Sequence, residues 1–502
     1  MSSRTAPPPL ARAFPFAPAS LGLAMVSGLL LRLWLATRNA GITMDSPLYV
    51  RMSEAITHGH RLIGPAHHGY PALIALARLP LQDPILAGRA VSLVAGMALL
   101  PLVYWLGRRT LAPAWATLPV WLVALRPLIA VYGGVTMTES LVLALVYGAL
   151  LLVERGRFAA GGAVMGAAYL VRPEALALAP LAALFSRSRR GALLALAAFA
   201  LVLVPYAGYL RWEHGSWMIS PKTVLVRPAA EDRQALEWRV GDTLRAGAEP
   251  RGFVERVRWA APSVASHYLP GLARHLRSLL RSWPWPLVLL SALGLAAWRR
   301  ALLAPVLMVA ALPLLAVPPD PRFSLLALPA LAVFAGCGGA WAAARMKQHA
   351  PRVAAAAAAV AALGTLWVWA GPEGRTAREF DDGPMAQMRE AGDWLRAHGR
   401  PGARVMDRKV YVPFFAGMEH IQLPDDDYDT IVEFARRSGV DYIVLEEYIV
   451  RSIRRQMLPL AIDPEFAKRE KRLRLVHVGG GGPLTGVAVL EVVRDPTGAG
   501  PP

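Results

Sequence analysis

Apolar residues in this chain gather into long runs, and most charged residues fall in the gaps between them. A helix needs roughly 20 apolar residues to cross the hydrocarbon core of a bilayer. Runs approaching that length lie near 17–37, 86–107, 111–131, 138–153, 158–171, 174–186, 191–210, 284–298, 301–318, 323–344 and 353–371. The pattern predicts a polytopic α-helical membrane protein with about eleven spans. The stretch 158–186 is too short for two full crossings, so it reads as a hairpin of short helices turning at Val171-Arg172-Pro173-Glu174. Pro173 and Pro180 suit broken helices beside a polar cavity better than lipid-facing ones.

After Gly371 the period changes. Met385–His398 has amphipathic helical spacing, Arg404–Arg408 reads as a strand, Tyr428–Ser438 as a helix and Asp441–Glu446 as a buried strand. Leu473–Val478 and Val487–Val493 read as two further strands divided by the Gly479–Gly482 turn, which no helix or Gly-Lys-Ser sequence follows. A small α/β domain over 372–502 follows from that alternation. Asp425-Asp426-Asp427 reads as a solvated acidic turn.

Composition agrees with a membrane protein: of 502 residues 55% are hydrophobic and 18% charged, and the mean hydropathy is positive. The net charge of +19 could suggest nucleic acid. The cations form short clusters between apolar runs, however, with no basic helix or aromatic binding face, and nucleic acid is set aside. Clusters at Arg4/Arg12, Arg108-Arg109, Arg155/Arg157, Arg187/Arg189/Arg190, Arg299-Arg300 and Arg345/Lys347/Arg352 occupy every second connection, as cytoplasmic loops do. A cytoplasmic tail 1–16, a retained first span and an exterior C-terminus are therefore expected. The outer segments are then 38–85, 211–283 and 372–502. Cys337 has no partner, which removes disulfides and CxxC metal sites.

This topology brings Asp45, Glu139, Arg172 and Arg322 to one membrane face. Asp45 opens an amphipathic stretch containing Tyr49, Met52, Ala55 and Ile56, and reads equally as a helix cap or a catalytic base. Glu139 is either an orienting carboxylate or an acid favoured by the dipole of the span it begins. Arg172 and Arg322 bind an anion or snorkel to headgroups. Adjacent His67 and His68 are expected to point to different sides of a polar loop, which argues against a metal pair. The segment 211–283 mixes tryptophans with cations, the composition of an interfacial anchor, and Lys222 or His267 within it has the reach to touch a lipid phosphate.

Asp45, Tyr49, Ala55 and Gly59 followed by Gly69-Tyr70-Pro71 resemble the first outer loop of the glycosyltransferase-C superfamily, in particular the protein O-mannosyltransferase and aminoarabinose transferase group. Thr136-Met137-Thr138-Glu139-Ser140, Arg172-Pro173-Glu174 and Asp320-Pro321-Arg322-Phe323 with Leu328-Pro329 are similar to later turns of that group, in the same order. Ser46 stands where many members have a second acidic residue, and Pro-Glu follows Arg172. The resemblance implies inverting transfer of a sugar from a polyprenyl-phosphate carrier to a glycan, lipid or protein acceptor outside the membrane. It further implies Asp45 as the base, Glu139 and Tyr49 as orienting groups, and Arg172, Arg322, Lys222, His67 and His68 as donor-phosphate ligands, with no metal or other cofactor expected because arginine supplies the positive charge. The appended domain suggests a bacterial cytoplasmic membrane and a role in acceptor binding or in covering the chamber. A transporter or lipid flippase is the alternative, although it would show internal repeats and mid-membrane charges, neither of which is seen in the sequence.

Overall fold

The computed structural model describes residues 17–38, 42–43, 45–59, 66–184, 188–214, 217, 219–221, 253–295, 302–312, 321–379, 384–452, 454–462, 464–480 and 486–494. They fall into two compact units, dividing at Thr223/Val224, Ser266/His267 and Phe380/Asp381. The tail 1–16, Lys222, Asp320 and much of 211–283 lie outside the described residues.

The first unit is helical: α1 (Ala17–Thr37), α2 (Ser46–Thr57), α3 (Gly69–Ala77), α4 (Pro84–Gly107), α5 (Pro113–Ala124), α6 (Pro127–Tyr132), α7 (Glu139–Glu154), α8 (Phe158–Val171), α9 (Ala175–Leu184), α10 (Arg189–His214), the part of α11 (Phe253–Ser282) from His267 onward, α12 (Trp285–Leu295) and α13 (Leu303–Ala311), then helices Pro321–Arg345, Ala350–Ala370 and Pro372–Arg378. Pro18–Thr37, Pro84–Gly107, Arg189–Glu213, Pro321–Arg345 and Ala350–Ala370 are each long and apolar enough to cross a bilayer. Pro113–Ala124, Phe158–Val171 and Trp285–Leu295 are shorter apolar helices. Helix Pro321–Arg345 runs through the core of the bundle, with 94% of its apolar window buried. It meets α12 backbone to backbone. A Cβ added to Gly294 would lie 1.8 Å from the Phe334 carbonyl oxygen, and one on Gly338 1.9 Å from that of Leu290.

The apolar run 111–131 is not one span. Leu125 ends α5, and Arg126 takes the extended conformation favoured before proline, so that Pro127 opens a new helix. Buried there, Arg126 donates from Nε and Nη2 to the two Glu373 carboxylate oxygens, each at 3.0 Å. Glu373 also accepts from the Leu128 amide at 3.3 Å. Helix Pro372–Arg378 is thereby fastened to the first unit, beyond the boundary that the composition places after Gly371. A second buried guanidinium, Arg32 in α1, donates to the Gly28 and Ala124 carbonyls at 2.9 and 3.3 Å. Glycine at 133 leaves its room, since a Cβ there would lie 2.9 Å from it.

The second unit is built on a five-stranded sheet, ordered β2-β1-β3-β5-β4, from β1 (Arg404–Asp407), β2 (Glu419–Gln422), β3 (Tyr442–Glu446), β4 (Leu473–Gly479) and β5 (Val487–Val492). β1 runs parallel to β2 and β3, and β5 antiparallel to β3 and β4. Helices Pro384–His398 and Tyr428–Arg437 match the periodic segments of the sequence. Asp427, from the acidic run, accepts from the Thr430 amide at 3.0 Å and caps the latter helix. β2 carries no alternating signal, being a partly exposed edge strand of Glu, His, Ile and Gln.

Asp407 and Glu446 end β1 and β3 as buried carboxylates. Burial, then the neighbouring Glu446 charge, holds Asp407 well above the usual carboxylate range. Burial also raises Glu446 to about 7 against the pull of Lys409 and Arg408. A raised folded-state value means that the native state keeps its proton while the unfolded chain releases it. Glu446 therefore makes stability fall as pH climbs from the unfolded value of 4.5 to about 7, and Asp407, raised in the same direction, adds to that fall. In the full-length protein, amide-exchange protection in β1 and β3, corrected for intrinsic rates, is expected to fall between about pH 5 and about pH 8. In Glu446→Gln the slope is reduced by the share that Glu446 contributes, Asp407 keeping the part that burial gives it, and an undiminished slope would refute the assignment.

Candidate active site

Two polar turns and the start of a core helix assemble the site. Ser46 accepts from the Thr43 amide at 2.9 Å and donates to the Thr136 carbonyl at 2.8 Å, tying the start of α2 to the turn before α7. Asp45 stands at the N-cap position of α2, yet its side chain makes no capping hydrogen bond. Instead Oδ2 faces Arg322 Nη1 at 3.5 Å, with the carboxylate side chain 25% exposed.

Glu139 begins α7 and is 2% exposed. Arg172, extended as expected before Pro173, donates from Nη1 to Glu139 Oε1 at 2.6 Å. Its other edge donates to both Glu174 oxygens, at 2.7 and 3.2 Å. Two buried carboxylates thus hold one guanidinium in a fixed plane. The Phe323 ring is flanked by both cations, with Arg172 Cζ 5.1 Å and Arg322 Cζ 4.8 Å from its centroid. Tyr49 is buried beside them, edge-on to Tyr70 at 5.3 Å. Burial, then the Asp45 and Glu139 charges, pushes its phenol well above the usual range, so it stays a hydrogen-bond donor. Asp45, Tyr49, Glu139, Arg172 and Arg322, four loops apart in sequence, therefore share one place in the first unit.

His67 and His68 depart from expectation in part. Both lie in the loop that leads into α3, as expected, but they are buried there and their rings meet the same partner. Helical backbone at His68 sets the two side chains only partly apart, and both rings pack on Tyr206, at 5.6 and 5.7 Å. His67 Nε2 hydrogen-bonds with Ser220 Oγ and His68 Nδ1 with Tyr206 Oη, each at 2.8 Å, while His68 Nε2 lies 3.6 Å from Glu213. Tyr70, two residues on, packs edge-on to Tyr49, and its hydroxyl hydrogen-bonds with the Gly88 carbonyl and Ser92 Oγ. Among the tryptophans of the 211–283 region, Trp212 and Trp217 are exposed and Trp283 is buried under Arg126. Among the described residues no group of three or more His, Cys, Asp or Glu side chains is arranged to hold a metal ion.

Sequence reasoning passed over Phe323 as a spacer between cations, and Glu213, Tyr206 and Ser220 as partners of the histidines. Phe323 carried a signal in its adjacency to Arg322. The other three are brought to the histidines only by folding, from positions about 140 to 150 residues away.

The chain matches no protein-family model and no curated protein sequence. Solved structures do match it. ArnT from Cupriavidus metallidurans in the apo state aligns over 95% of this chain and 98% of its own, at 14% identity and a TM-score of 0.59. The same protein bound to undecaprenyl phosphate aligns over 97% and 99%, at 12% identity and a TM-score of 0.56. The archaeal oligosaccharyltransferase AglB from Archaeoglobus fulgidus, in complex with an inhibitory peptide and a dolichol-phosphate, aligns over 94% of this chain and 75% of its own, at 15% identity and a TM-score of 0.54. This chain therefore shares its fold with ArnT and with the archaeal oligosaccharyltransferase.

Proposed function

We propose that the protein is an inverting glycosyltransferase that takes a sugar from a polyprenyl-phosphate donor and passes it to an acceptor on the extracytoplasmic side of a bacterial cytoplasmic membrane. The observation that carries this reading is the 3.5 Å approach of the Asp45 carboxylate to Arg322, beside Arg172 across the Phe323 ring. A base and two fixed cations in one partly shielded site are what this transfer needs. An acceptor hydroxyl attacks the anomeric carbon as a carboxylate takes its proton. The departing lipid phosphate is stabilised by Arg322, which stays charged and can grip its oxygens in pairs. The ArnT structure with undecaprenyl phosphate and the AglB structure with a dolichol-phosphate support a lipid-phosphate ligand for the same fold.

Inversion places base and leaving group on opposite sides of the anomeric carbon. The sugar accordingly enters between Asp45 and Arg322, and its arrival replaces their mutual contact. Arg172, gripped by Glu139 and Glu174, adds a second stationary cation and sets the plane of Phe323. Tyr49 and Glu139 orient the acceptor side, and the basic clusters of alternate loops give the orientation in the membrane.

The test is turnover of a labelled polyprenyl-phosphate sugar by the purified protein in nanodiscs. Arg322→Lys keeps the charge and loses the fork. Its kcat/KM for the donor is expected to fall about 10- to 100-fold, the loss of a hydrogen bond to a charged group. Unchanged donor kinetics would remove Arg322 from the phosphate site.

A further inference from the structure

The second unit places a different polar cluster at the position where parallel sheets take ligands. From β1 the chain passes to β2 on one side, then returns to β3 on the other, so the strand order reverses between β1 and β3. In open α/β sheets, ligands bind outside the carboxyl ends of the strands at this reversal. Asp407 is the last residue of β1 and Glu446 the last of β3. The registered pairs Val405–Tyr442 and Met406–Ile443 put Asp407 level with Val444, hence on the same sheet face as Glu446 two residues further.

Both carboxylates are left incomplete. Asp407 is 0% exposed and Glu446 5%. Asp407 Oδ1 accepts from the Lys409 amide at 3.2 Å, whereas Asp407 Oδ2 and Glu446 Oε1 are buried and without a hydrogen-bond partner among the described residues. A buried acceptor with no donor is costly, because the hydrogen bonds it makes to water in the unfolded chain are not replaced. Two at one strand-end crossover are an unusual concentration in a small domain. Buried Arg408 and half-buried Lys409 follow directly in the chain and act on Glu446.

This mixture selects the ligand. An anion would meet two carboxylates. A divalent cation wants six or more oxygens and would meet Arg408 and Lys409. A polyol brings donors for the carboxylate oxygens and acceptors for the cations on adjacent atoms. We infer that the carboxyl ends of β1 and β3 form a second binding site, for the vicinal hydroxyl groups of a saccharide, with Asp407 and Glu446 accepting and Arg408 and Lys409 donating. The inference stands apart from the transferase reading, because it requires no turnover.

Saturation-transfer NMR on the full-length protein in nanodiscs, with methyl α-D-glucopyranoside and trehalose as probes, tests it. Transfer to the ring protons is expected in the wild type, and its loss on substitution within the second unit separates this site from the transferase site. Glu446→Leu keeps the volume but removes both acceptor oxygens and is expected to reduce the signal at least fivefold. Asp407→Asn is expected to do the same, and if its sheet amides lose protection the Glu446 variant decides alone. An undiminished signal in Glu446→Leu would overturn the assignment. So would a wild type that ignores both sugars while calcium raises its melting temperature, since that describes a cation site.

Discussion

Asp45→Asn is expected to lower turnover of a polyprenyl-phosphate sugar by roughly 10²–10⁴-fold, the usual worth of a positioned general base. The substitution is nearly isosteric and the side chain caps no helix, so folding should be preserved. Donor KM is expected to change far less than kcat, because the lost group acts on the acceptor proton as the new bond forms. The measurement is kcat and KM for donor and acceptor separately, together with a melting curve. Wild-type turnover in a folded Asp45→Asn protein would exclude this residue as the base. A fall that tracks a lowered melting temperature would point to structure.

Arg172→Met is expected to be the most damaging single change to the membrane unit. Glu139 and Glu174 both depend on this guanidinium, at 2.6 and 2.7 Å, and its removal leaves two buried negative charges side by side. Breaking such a buried network by deleting one partner costs about 3–5 kcal/mol. Neutralising the carboxylates as well, in Arg172→Met/Glu139→Gln/Glu174→Gln, is expected to recover most of the stability, since uncharged groups of similar shape need no counterion. Thermal stability in detergent reads the difference. If the triple variant is as unstable as the single one, the loss comes from packing around Phe323 instead of from charge. Activity is expected to stay low in both, as the second cation is missing from each.

Why some of this was visible in the sequence follows from the kind of signal each residue leaves. An ionisable group next to an apolar run is costly to place in a membrane protein, and it stands out without any structure. Asp45, Glu139, Arg172 and Arg322 were found in that way, and the fold brings them together. Glu174 meets Arg172 by adjacency, because two residues across a Pro turn remain neighbours. The break in 111–131 was overlooked because one arginine in twenty apolar residues does not change the average, although Arg126-Pro127 spells a helix boundary. Its partner Glu373 lies 247 residues away, and no local pattern carries that pairing. The burial of the histidine pair was hidden for a related reason: the loop that carries them is legible, but Tyr206, Tyr209 and Glu213, which cover them, arrive from a distant helix. In the second unit, alternation located β1, β3, β4 and β5, whereas edge strand β2 takes its conformation from its neighbour β1 and leaves little mark of its own.

Where Gly294 and Gly338 let two main chains touch, there are no side-chain rotamers to absorb a shift, and sliding by part of a residue would drive carbonyl oxygens into one another. The helix that begins with Pro321-Arg322 therefore behaves as a stationary post. Any rearrangement around this site must come from the elements facing that helix, and the Arg322 guanidinium keeps its place while they move.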